Sequence, residues 1–295
     1  MARAAAAPYS RAMPSSTVLS LAAVAALLPA AVIGWRGRGR DGLFWAGIAL
    51  AVAGPGAWAL AQIEDAWHAG LSVALWVTVA ASMGLYAALA AASREAWRLS
   101  LLLPPYLVLL GLVATVWQGA PEPRVSSEPY GSWVLVHIVV SVATYALVTI
   151  AGVAGLAVAL QERALKTRRP NRLTRLLPSV AEAEGLEVGL LAAAEAVLGL
   201  GVLTGASAHY LATGHLVAFD HKTVLSLAAF AVIGALLLAH KRVGLRGRRA
   251  ARVALFAWLL LTLAYPGVKF VTSVLLADRV AVQQSSCAAD PATLA

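Results

Sequence analysis

Six histidines are the residues of this chain best suited to chemistry: His68, His137, His209, His215, His221 and His240. A neutral imidazole ligates metal ions, including porphyrin iron. His137 is followed by Ser141 and Tyr145 at i+4 and i+8, which places all three on one helix face. That polar stripe reads either as interhelical hydrogen bonding or as a ligand imidazole with supporting hydroxyls. His221 stands between Asp220 and Lys222. There Asp220 either caps a helix or orients the neighbouring ring. His209 and His215 lie just upstream and are candidates for the same site. His240 ends the apolar run that His221 begins, and reads as a helix C-terminal cation or as a second ligand. Lys269 lies inside the last apolar run, with Tyr265 and Thr272 near it at helical spacing and Pro266 set to kink the helix. A charge in such a place either snorkels to an interface or serves function. Its candidate anionic partners are Asp220, Glu195 and a ligand carboxylate.

Other chemistry is absent from the sequence. There is no Walker, GxSxG, HExxH or CxxCH motif. The one cysteine, Cys287, allows no intrachain disulfide framework. With no nucleophile–base constellation, the chain reads as a binder and not as an enzyme.

The elements that must position these residues follow from composition. Of 295 residues, 60% are hydrophobic and 13% charged, where a soluble domain carries roughly 25% charged residues. The net charge of +9 is spread over short clusters between apolar runs, which argues against a nucleic-acid-binding face. A bilayer core needs about 20 apolar residues of helix. Eight runs meet this: Ser16–Trp35, Leu43–Ile63, Leu71–Ala92, Leu99–Trp117, Val134–Leu160, Leu186–Ala206, His221–Ala239 and Val253–Leu276. Lipid cannot satisfy backbone groups, so these runs are helices. The fold class is all-α, a polytopic transmembrane bundle of about eight spans with both termini outside. Residues 1–15 form an outer segment, 16–276 the membrane domain and 277–295 a flexible tail.

Orientation follows from the cations. Placing Arg36–Arg40, Arg94–Arg98, Arg163–Arg175 and Lys241–Arg252 inside puts 17 of the 23 Lys and Arg there. The first run resembles a signal-peptide core, but the RGRGR that follows it favours an uncleaved helix. The connection Gln161–Gly185 ends in the acidic patch Glu182, Glu184 and Glu187 and reads as a short amphipathic piece on the membrane. Gly54-Pro55-Gly56 marks either a break that lines a path or a packing kink. The bundle divides as four plus four helices.

Four stretches carry a resemblance: VHIVVSVATYALVTIAG (Val136–Gly152), ALKTRRP (Ala164–Pro170), LGLGVLTG (Leu198–Gly205) and the long segment Asp220–Val271. They resemble the CcsA-related cytochrome c assembly membrane proteins, and within that family the shorter HemX/YpjD-like inner membrane branch. The resemblance covers about 130–276, and the first four helices only in general layout. It implies a haem-handling protein of the bacterial cytoplasmic (inner) membrane, with outer histidines and a tryptophan-rich outer loop that hold haem. By position His137 matches the outer histidine before the central helix. Asp220 and Lys222 match the Asp and Lys that close the tryptophan-rich motif, and His221 replaces a proline there. His240 falls near the family's inner histidine. The segment GHLVAFDHK lacks the tryptophans, with Phe219 the nearest aromatic, and no histidine follows the eighth run. These departures point away from a haem ligase and toward a shorter haem-binding or accessory role.

The resemblance therefore implies haem b held by two imidazoles, His137 and His221, with Lys269 or outer arginines on the propionates. Asp220, Tyr145 and His240 are supporting candidates. The implied partners are membrane lipid, haem and cytochrome c assembly proteins, with no nucleic acid. One alternative is an assembly factor or regulator of haem biosynthesis that need not bind haem. Another is a small-solute or ion transporter that uses Lys269 and the Gly54-Pro55-Gly56 break.

Overall fold

The computed structural model describes residues 13–37, 39–65, 70–119, 132–214 and 220–267. His68, His215, Phe219, Lys269, Thr272 and Cys287, and the side chains of Tyr265 and Pro266, lie outside the described residues. The described residues contain no strand. Their α-helices are α1 (Met13–Ile33), α2 (Gly42–Asp65), α3 (Leu71–Ala92), α4 (Leu103–Val116), α5 (Ser132–Thr167), α6 (Arg172–Leu176), α7 (Val180–Thr213), α8 (His221–Val243) and α9 (Gly247–Thr262). A π-helical turn, Leu263–Gly267, continues α9 through Pro266. Six of them, α1, α2, α3, α5, α7 and α8, are long and apolar enough to cross a membrane. The chain is thus a multi-pass helical membrane protein.

Three sequence expectations change. The fourth run is not one helix: a 3-10 segment, Ala96–Leu101, precedes α4, which has only 14 residues. Pro104 and Pro105 sit at its first turn, where a missing N–H costs least, so they fix the start. The connection Gln161–Gly185 is mostly helical and does not lie as one loop. Helix α5 runs on through QERALKT, whose residues favour helix, and α7 starts at Val180 behind a capping box made by Ser179 and Glu182. Between them Asn171 caps the short α6, and the Gln161 amide donates to the carbonyls of Thr174 (2.8 Å) and Pro178 (2.9 Å). Finally, α2 passes unbroken through Gly54-Pro55-Gly56. Gly54 lies against Ala26, so this motif serves close packing of α1 on α2.

The bundle does divide in two. Helix α1 packs on α2 and α4, and α3 packs on α2 and α4. Trp76, Met83, Tyr86, Leu103 and Leu107 fill the centre of this half. In the second half α5 packs most extensively on α7 and then on α9, while α8 leans on α7 and α9. Contacts between α3 and α5, and the edge-on ring pair Tyr106–Trp258 (5.9 Å), join the halves. Thr78, Thr115 and Thr144 bond within their own helices, to carbonyls one turn back (2.8–2.9 Å). Ser20 instead donates to Gln118 across the first half at 3.0 Å, which ties α1 into the bundle.

The basic connections gather at one end. Arg40 donates to the Ala90 carbonyl at the end of α3 (2.9 Å), and Arg172 to the Trp35 carbonyl (3.1 Å). Arg98 pairs with Glu182 at 3.7 Å and Arg246 with Glu184 at 3.9 Å. These exposed pairs are individually weak, but they interlock the segments that the charge count places together. This is the basic end; the other is the opposite end.

Candidate functional site

Near the opposite end, His137 of α5 lies against α7. Its Nδ1 is 3.1 Å from the Thr204 hydroxyl, and that hydroxyl donates to the Gly201 carbonyl at 3.1 Å. Threonine has one hydroxyl proton, and both the Gly201 carbonyl and His137 Nδ1 are within its reach. With that proton on Gly201, the ring donates from Nδ1 to Thr204 and keeps a lone pair on Nε2. A ligand imidazole needs that tautomer, and a hydrogen bond at the other nitrogen is how proteins set it. Gly205 makes room for the ring: a Cβ there would lie 2.9 Å from Cε1 of His137. Ser141 does not join the site, because its hydroxyl bonds back to the His137 carbonyl at 2.7 Å.

Helix pairing sets the level of the other residues near this end. On one side of α7, Gly155 of α5 faces Glu187, Val140 faces Gly201 and His137 faces Gly205. On the other side Gly234 of α8 faces Glu195, and Phe230 faces Gly199. Continued in this register, His221 is level with Ala208, roughly 4.5 Å along the axis beyond Gly205. His209, one turn beyond Gly205 on α7, belongs to the same region. His221 itself is exposed. The described residues contain no cluster of three or more His, Cys, Asp or Glu able to hold a metal ion. A porphyrin iron, which needs two protein ligands at most, is a different case. His137 fits such a group through Nε2, in the tautomer that carries its proton on Nδ1.

Asp220 is a helix cap. Its Oδ1 accepts from the Thr223 N–H at 2.8 Å. Bonds from the hydroxyl and N–H of Thr223, then the charges of Lys222 and His221, hold its carboxyl below the usual carboxylate range. A depressed folded pKa gives stability that is present at neutral pH and lost as pH falls below about 4. Asp220→Ala should therefore cost about 1 kcal/mol at pH 7. Thermal unfolding in detergent should show the gap to wild type closing at pH 3. A gap unchanged at pH 3 would trace the cost to something other than the carboxylate.

The remaining candidates lie apart. Tyr145 is two turns deeper than His137 and 5% exposed. Its hydroxyl meets Thr262 of α9 at 3.1 Å and also interacts with Tyr106, so it joins α4, α5 and α9. His240 donates from Nδ1 to the Leu245 carbonyl at 3.0 Å and closes the α8–α9 turn at the basic end. Lys269 falls outside the described residues.

Sequence reasoning misplaced Glu187. Read there as part of a loop's acidic patch, it is only 1% exposed, and neither carboxyl oxygen has a hydrogen-bond partner among the described residues. Its carboxyl lies against Gly155 of α5, where an added Cβ would also approach the backbone of Ala251 in α9. Glu195, two turns on, has one oxygen against Gly234 and the other buried without a partner. A signal was present: both glutamates fall within the apolar helical run and not beside it.

Comparison with known proteins agrees with this architecture. An uncharacterized 28.8 kDa protein in the nifR3-like 5′ region of Azospirillum brasilense is 56% identical over 270 residues, covering 90% of this chain and all of that relative. No solved structure matches. The family described as Cytochrome C assembly protein matches residues 67–276. That match begins at α3, so the likeness extends beyond the 130–276 core and takes in the helices that pack on α5. The chain belongs to the cytochrome c assembly protein family.

Proposed function

We propose that this protein serves cytochrome c biogenesis in the bacterial inner membrane by binding haem b and presenting it, with no covalent step of its own. Within the family it stands with the shorter HemX-like branch. The observation that carries this reading is the contact of His137 Nδ1 with the Thr204 hydroxyl at 3.1 Å, an arrangement that supports the tautomer with Nε2 open to a ligand. When bound, haem would supply an iron that accepts imidazole ligands. His137 would hold it as one ligand and His221, about one turn further out, as the other. Asp220 holds the first turn of α8, on which His221 stands, and Lys269 meets a propionate.

The test is a spectrum. The full chain, purified in detergent from haem-replete cells, should give a reduced-minus-oxidised spectrum of stoichiometric bis-histidine haem. His137→Ala and His221→Ala should each abolish it. Thr204→Val, which removes the tautomer's support and leaves the shape, should weaken haem binding about 10–100-fold. A colourless protein that also fails to take up added haem would refute the proposal. Retention of full affinity in Thr204→Val would remove the observation on which it rests.

A further inference from the structure

A groove lies at the basic end, far from His137. It has a volume of about 710 Å³ between the end of α5, the α8–α9 turn and the start of α9. Five cations line it: Lys166, Arg246, Arg248, Arg249 and Arg252. Only one acid, Glu162, does so, and it is already engaged. One of its oxygens accepts from the Arg248 N–H at 3.0 Å, and the other pairs with Lys166 at 3.4 Å. Arg246 leans on Glu184 at 3.9 Å. Arg248, Arg249 and Arg252 have no carboxylate partner among the described residues. Three arginines thus line the groove beside a helix N-terminus with no carboxylate to match their charge, Arg252 donating from Nε to the Arg248 carbonyl at 3.3 Å. Guanidinium is the side-chain group best shaped for phosphate oxygens.

What continues from these arginines identifies the ligand. Ala250, Ala251, Ala254, Ala257 and Leu261 of α9 are buried against the bundle, which fixes how the helix is turned. Arg248 and Arg252 lie on the opposite face, and the same stripe runs on through Phe256 (51% exposed), Leu259 (44%) and Leu263 (47%). From Arg252 to Leu263 the helix rises roughly 16 Å. That is about half of a 30 Å hydrocarbon core, the depth of one leaflet. Val243 and Leu245 add apolar wall beside the charged groove. A phosphate at the arginines and an acyl chain along the stripe would occupy both parts at once. A soluble anion would use only the first.

We propose that this groove binds the headgroup phosphate of an anionic phospholipid, whose acyl chain lies along the exposed face of α9. The experiment uses the delipidated full chain in detergent and compares phosphatidylglycerol, phosphatidylcholine and inorganic phosphate by native mass spectrometry. Wild type should retain phosphatidylglycerol at least about tenfold more strongly than phosphatidylcholine, and equimolar inorganic phosphate should not displace it. Arg248→Gln with Arg252→Gln should lower phosphatidylglycerol retention about tenfold or more. Arg248→Lys with Arg252→Lys should keep most of it. Arg163→Gln with Arg169→Gln, at the same end but outside the groove, should leave it unchanged. Equal retention of the two lipids by wild type overturns the proposal whether or not any variant folds. So does a double glutamine variant that binds like wild type. Displacement by inorganic phosphate also overturns it and assigns the groove to a free anion.

Discussion

Gly155→Leu should lower the stability of the protein by about 3 kcal/mol or more. Two opposing terms decide this. An alkyl group in place of glycine favours the helix by up to about 1 kcal/mol. Against that, the first added carbon would lie 2.8 Å from Oε1 of Glu187, 3.2 Å from its Cδ and 3.5 Å from the Cα of Ala251. A flexible carboxyl at a surface would swing away. Glu187 is 1% exposed, so it is enclosed, and the backbone of α9 borders the same space beside Gly155. The remaining three carbons of leucine must then separate α5 from α7 and α9, its two most extensive neighbours. Denaturant or thermal unfolding in detergent measures the loss. A companion cycle isolates the contact: Gly155→Ala should be destabilising alone and close to neutral in a Glu187→Ala background. A Gly155→Leu protein as stable as wild type would mean that the three-helix contact yields freely, contrary to its packing.

Gly247→Ala has an expected cost of about 2–4 kcal/mol, from two causes that can be separated. Gly247 has φ +61°, in the left-handed region, where a residue with a Cβ pays roughly 1–2 kcal/mol. The Cβ would also run into the Glu162 carboxylate. That carboxylate accepts from the Arg248 N–H and compensates the first turn of α9, where Arg246 offers no side-chain cap. The clash removes that bond along with the space. In a Glu162→Ala background Gly247→Ala should show the backbone strain alone, and hence a smaller effect. Equal effects in both backgrounds would show that the carboxylate does not matter to it.

How far the sequence could be read differs between elements for physical reasons. Asp220 as a cap was legible because the cap and its partner Thr223 are three residues apart. The apolar runs were legible because lipid demands helices, and the gathering of basic connections followed from charge alone. The ends of helices were not. Polar QERALKT looks like loop to a hydropathy reading, yet it extends α5 to Thr167 because its residues favour helix. Pro104-Pro105 was visible but was not weighed against a continuous fourth span. The support of His137 rests on Thr204, 67 residues away, and local spacing cannot reveal it. Glu187 was misjudged because a charged residue near a helix end is ordinarily solvated. Its carboxyl lies against Gly155, a small residue that belongs to another helix. The resemblance was drawn from the second half, where the motifs are dense, although the family match starts at residue 67.

The packing of α1 on α2 and α4, locked by Ser20 and Gln118, bears on how the chain is made. All of these partners lie within the first 119 residues, and none waits for α5. Because synthesis proceeds from the N-terminus, the first four helices can close on one another in the bilayer while the histidine-bearing helices are still unmade. The later half is then assembled against a finished wall, with α3 already positioned to receive α5.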